Sequence, residues 1–174
     1  MDLVMKLTQT LILFTVLAIA AATAAGQSVN PARLKINGAV GLDSSYAQIV
    51  KSLGKPVKET KAVHEECAGG REKAVKYAGL ELGLMDAASK DGKTFELVSF
   101  NVSSAKYTVS GIKIGDTEAM VRTKFGKKFT IDKDAAKGET YWTYEMNDND
   151  GPGQTTVAFK NSKVIEISSS LMMC

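Results

Sequence analysis

The chain has one histidine and two cysteines, and this scarcity limits the chemistry its side chains can organise. The histidine lies in His64-Glu65-Glu66-Cys67. Any serine or cysteine nucleophile would need His64 as its base, because no other imidazole exists. On a helix, the i, i+3 spacing of His64 and Cys67 would bring two metal ligands together. A closed zinc site needs four ligands, mostly Cys and His, and the chain lacks them. The stretch therefore reads as a surface loop with no metal bound. Asn147-Asp148-Asn149-Asp150-Gly151 has the outline of a calcium loop. Counting from its glycine puts Met146 at the first ligand position and Val157 at the twelfth, where a bidentate glutamate is required. The segment reads as a turn between strands instead. Asn101-Val102-Ser103 fits a glycosylation sequon, but it falls within an expected strand. No phosphate-binding or dinucleotide fingerprint is present, so the expectation is a non-enzyme without cofactors.

Two cysteines read differently according to compartment. Lys6, the apolar run 11–22 and the small residues that follow it form a secretory signal at residues 1–25. The run is too short to span a bilayer comfortably, so no integral membrane segment is expected after cleavage, and the protein is read as periplasmic or secreted. In an oxidising compartment, a Cys67–Cys174 disulfide is the first expectation. It would close a loop worth roughly 4 to 5 kcal/mol in the chain-entropy picture. Two free thiols, or an intermolecular bridge through Cys174, are the alternatives. The 22 basic against 19 acidic residues give a net charge of +3, too small a bias to indicate a nucleic-acid partner. Lys124, Lys127 and Lys128 gather at an expected helix end, where cations complement the dipole.

The elements are legible from periodicity. After a flexible arm at 26–33, Val40 and Leu42 alternate into Asp43-Ser44-Ser45, suited to capping a helix. Ala47, Ile49, Val50 and Leu53 follow at helical spacing, Gly54 ends the run, and Pro56 prevents its continuation. This predicts a helix of about ten residues. Residues 57–63 read as a strand, followed by a polar loop with Cys67, Gly69 and Gly70. Strands are then expected at 75–77, 80–84 and 95–102 from period-2 patterning. The second half follows the same order. Ile112 and Ile114 lead into Asp116-Thr117, a helix through Val121 and Phe125, and Gly126. Strands follow at 129–131, 140–146, 155–159 and 163–169, with a loop at 132–138.

The halves correspond in detail. At a constant offset of 72 positions, Val40 aligns with Ile112, Leu42 with Ile114, Ser45 with Thr117, Ile49 with Val121, Leu53 with Phe125 and Gly54 with Gly126. In the second copy Ile114-Gly115-Asp116 stands where the first has Leu42-Asp43-Ser44. The order Gly-Ile-Lys-Ile-Gly-Asp-Thr, then apolar-Phe-Gly-Lys, then a Tyr-x-Tyr-like strand, resembles the repeat of the tandem β-lactamase-inhibitor-like superfamily. Small outer-membrane-assembly lipoproteins of the SmpA/OmlA type share that repeat. The resemblance implies an α+β fold of two tandem helix-plus-antiparallel-sheet repeats, at 34–108 and 109–174, joined into one curved sheet. Helices would cover one face and leave the other for a partner.

Alternation places Trp142, Tyr144 and Met146 on the core side, with Tyr141, Thr143 and Glu145 opposite. Val98, Phe100 and Val102 suit the core, leaving Phe95, Leu97 and Asn101 on the open side. Tyr141, Phe95 and Leu97 are therefore the candidate binding residues, since exposed aromatic and apolar side chains mark partner surfaces. The functional expectation is a non-catalytic exported protein that binds a protein partner through this face, inhibition of an enzyme being one form of it. The alternative is an assembly or structural factor of the cell envelope.

Overall fold

The structure, a computed structural model, describes residues 30, 33–66, 69–86, 94–146 and 153–171. The signal segment, Cys67, Cys174 and the calcium-like stretch 147–151 lie outside the described residues. No helix among the described residues is long and apolar enough to cross a membrane.

Two helices form where capping and periodicity place them. α1 spans Tyr46–Leu53 and α2 spans Glu118–Phe125, eight residues each, so α1 is shorter than the ten expected. Ser45 caps α1 through a reciprocal bond with Gln48, and Thr117 caps α2 by accepting from the Met120 N–H. Gly54 and Gly126 end them at φ of 83° and 87°, a region open to glycine at no steric cost. Gln48 at the third helical position completes the first cap, which is why that helix starts so sharply.

The strands are β1 (Lys35–Ile36), β2 (Val40–Gly41), β3 (Lys58–Glu59), β4 (Val63–Glu65), β5 (Gly70–Tyr77), β6 (Leu80–Asp86) and β7 (Glu96–Val102). They continue as β8 (Thr108–Val109), β9 (Ile112–Lys113), β10 (Thr130–Asp134), β11 (Glu139–Met146), β12 (Gly153–Lys160) and β13 (Lys163–Leu171). The result is α+β: a nine-stranded antiparallel sheet in the order β10-β11-β12-β13-β7-β6-β5-β3, with β4 also on β5, and a four-stranded sheet β2-β1-β8-β9. The small sheet was not anticipated. Ser110 and Gly111, at φ of 47° and 84°, make the tight turn between β8 and β9 that two-residue hairpins require. β10 runs on into the segment expected as a loop, and the strand expected at 57–63 is split into β3 and β4.

One core lies between the large sheet and everything packed on it. Trp142, Val157, Ile167, Val102 and Leu80 form a cross-strand row, all buried. Ile49 of α1, Val121 and Phe125 of α2, and Ile36, Val40, Val109 and Ile112 of the small sheet close over it. Phe129 stacks on Trp142 with ring centroids 4.3 Å apart, and Arg122 covers the same indole at 4.6 Å. Complete burial of side chains this size contributes about 1.5–3 kcal/mol each, which fixes which face of the sheet is inside.

Candidate functional site

The opposite face of the nine-stranded sheet carries no layer among the described residues. Pairing register says what lies on it. Thr143, Thr156, Ser168, Asn101, Glu81 and Lys76 form one continuous cross-strand row. Gln154, Ser170, Ser99, Gly83 and Ala74 form a second. Asp132, Tyr141, Ala158 and Glu166 form a third. The face is polar and low: short hydroxyl, amide and small side chains run across its middle, with charges toward the rims. A hollow of about 250 Å³ opens between β5, β6 and β7, lined by Ala74, Glu81, Gly83, Ser99 and Asn101 among others. Gly83 makes room for it, since a Cβ there would lie 2.3 Å from the Ser99 hydroxyl.

Of the three expected binding residues, the sheet places one on this face. Tyr141 is half-buried on β11, and its hydroxyl donates to Glu139 Oε2 at 2.6 Å. That bond, then desolvation and the charges of Glu139, Asp134 and Glu166, push the phenol up to about 12. At neutral pH it is a neutral donor with an apolar ring, suited to recognition rather than nucleophilic attack.

Leu97 is corrected: it is a core residue, fully inaccessible. The reason is a bulge. Gly83 pairs with Ser99 and Leu84 with Leu97, so Val98 is an extra residue in β7. One unpaired residue reverses the alternation, bringing Leu97 onto the same side as Phe100. Val98, expected in the core, is half-buried. Phe95 is also not on the open face. It precedes β7, packs partly buried against the core, and its carbonyl accepts the Tyr46 N–H at 2.8 Å. Lys73 Nζ lies 3.7 Å from the Tyr46 ring centroid and 4.8 Å from that of Phe95, and pairs with Glu59 at 3.2 Å. Tyr46 also donates to Glu59; that bond first, and then Lys73, hold the carboxyl below its ordinary range despite desolvation. Burial first, and then Glu59, push the Tyr46 phenol up to about 12. Phe95 thus wraps a lysine of its own chain. Asn101 does lie on the open side, as alternation predicts. Ser99, Ser168, Ser170 and Glu166 escaped notice because their surroundings come from pairing β13 with β7, across half the chain. His64 is exposed on β4, and no cluster of potential metal ligands occurs among the described residues.

Fold and face together define an antiparallel α+β protein with one sheet face covered and the other bare among the described residues. No protein-family model matches the chain. No curated protein matches it either. Among solved structures, the chain is similar to an extracellular protein containing an SCP domain from Bacillus anthracis str. Ames, with a TM-score of 0.45 and 10% identity. The match covers 90% of this chain and 49% of that one, so this chain spans about half its length. The expected membership of the tandem β-lactamase-inhibitor-like superfamily is withdrawn: no protein-family model supports it. At this similarity, no activity transfers to the present chain.

Proposed function

We propose that this is an exported, non-catalytic binding protein that engages a protein partner through the bare face of its large sheet. The observation that carries the reading is the row Thr143, Thr156, Ser168 and Asn101, which crosses the β13–β7 junction with no layer above it among the described residues. Short polar side chains on a rigid sheet present hydrogen-bonding groups with little entropy to lose on binding. The leader at residues 1–25 directs the chain out of the cell, and the held proton of Tyr141 suits recognition.

The architecture fits two tandem units. Asp43 N–H donates to Leu97 O at 2.9 Å, and Gly115 N–H to Val164 O at 2.8 Å. Tyr77 donates to the carbonyl of Gly54, and Tyr144 to that of Gly126. Ser44 Oγ receives the Gly41 N–H, and Asp116 Oδ2 the Lys113 N–H. Each contact recurs in the matching place of the other half, with β7 and β13 meeting at the centre.

A photo-crosslinking residue at Ser168 tests the face, with one at the exposed Lys124 of α2 as comparator. Ser168 is expected to capture a discrete partner from envelope extract and Lys124 is not. Tyr141→Ala should weaken that capture, while Phe95→Ala should leave it intact. Equal capture from both positions would overturn the assignment of the face.

A further inference from the structure

The charges on the bare face oppose those of the molecule. The chain is net basic by three charges. In the strip of the face built by β10 to β13, Asp132, Asp134, Glu139, Glu145 and Glu166 outnumber the cations, which are Lys160 and Lys163 beside one turn and Lys137 at another, where it pairs with Asp134 at 3.3 Å. Lys160 already sits 3.8 Å from Glu139. Tyr141 lies within this strip, opposite Asp132 on one side and Ala158 on the other, with Glu166 opposite Ala158. Two strand spacings separate Tyr141 from Glu166, about 10 Å. The residue between them is a buried alanine, so the row presents an aromatic ring and a carboxylate with no other large side chain between them.

We infer that the partner is basic where it meets the sheet, and that this strip, centred on Tyr141, Asp132 and Glu166, receives a lysine- or arginine-rich protein segment. This deepens the proposed function and rests on its use of the bare face. An arginine laid across the strip would meet the Tyr141 ring for cation–π attraction and carboxylates for charge-assisted hydrogen bonds. Complementary charge would also speed encounter and disfavour acidic competitors. The negative field acts on Tyr141 itself: beyond its bond to Glu139, the charges of Glu139, Asp134 and Glu166 all hold its proton on.

The test uses the purified chain and two synthetic peptides of equal length, one alternating arginine and serine, the other glutamate and serine. Binding is followed by calorimetry at low and physiological salt. The arginine peptide is expected to bind and the glutamate peptide not. Asp132→Asn and Glu166→Gln should each weaken binding about threefold to tenfold, the scale of one partly screened charge pair. Glu118→Gln, an identical charge change on α2, should alter it less than about twofold. Equal losses from all three variants, failure of the arginine peptide to bind, or equal binding of both peptides would overturn the inference. Crosslinking at Ser168 separates the two levels. Capture there of a segment that is acidic or neutral sinks the basic partner and leaves the face standing. Capture equal to that from Lys124 sinks the face itself.

Discussion

Asp43 occupies a backbone conformation that its counterpart assigns to glycine. Its φ is 91°, and that of Gly115 is 94°. The conformation is enforced, because the Asp43 N–H is tied to Leu97 O and the Gly115 N–H to Val164 O. A non-glycine residue in this region costs of order 1–3 kcal/mol, and aspartate sits toward the low end. Glycine in its place loosens the unfolded chain by about 0.5–1 kcal/mol, which offsets part of the relief. Asp43→Gly is therefore expected to stabilise the protein by about 0.5–1 kcal/mol, or roughly 1–4 °C in melting temperature. Gly115→Asp should destabilise it by a similar or larger amount. Space does not confuse the second variant, since no atom lies within 4 Å of a Cβ added at Gly115. Thermal and urea unfolding followed by circular dichroism would measure both. A destabilised Asp43→Gly, or a neutral Gly115→Asp, would refute the claim that backbone strain distinguishes these two positions.

Gly79→Ala should cost at least about 2 kcal/mol in urea unfolding, because φ is +77° and the new Cβ would sit 2.2 Å from Ser104 Cβ. Tyr77→Phe should cost about 0.5–1.5 kcal/mol, the net worth of the 3.0 Å bond that holds the Gly54 carbonyl at the end of α1. The folded carboxyl of Glu59 titrates below its ordinary value, chiefly through Tyr46 and then Lys73. Its stabilising contribution is thus present above the unfolded value and lost as pH falls through the folded one. Tyr46→Phe should flatten the fall in melting temperature below about pH 4.5.

The helices were legible because their signals are local. Ser45 and Thr117 before apolar periodicity, and Gly54 and Gly126 after it, specify start and stop within a dozen residues. The offset of 72 holds through that region and then fails. The tyrosine that bonds the helix-ending glycine lies 23 residues beyond it in the first half and 18 in the second. A fixed-offset comparison therefore cannot follow the strands beyond the helices. Leu97 was misplaced for a different reason. Its facing depends on one extra residue, and period-2 reading does not see bulges. Phe95 was misplaced because its environment comes from Tyr46 and Lys73, neither adjacent in sequence. Which residues share the bare face depends on β13 pairing with β7, a contact no local signal announces.

That central pairing has a consequence for how the molecule comes apart. Ile167 lies against Val102 and Ser169 against Phe100, and Ile36 meets Val109 in the small sheet. Severing the connection near residue 108 would lay bare two strand edges at once, each apolar on its inner side. Each half would keep an unpaired edge in place of the β7–β13 ladder. Amide hydrogens along β7 and β13 belong to the last class to exchange, released only when the whole protein opens. A half expressed alone would satisfy its raw edge by pairing with another copy of itself.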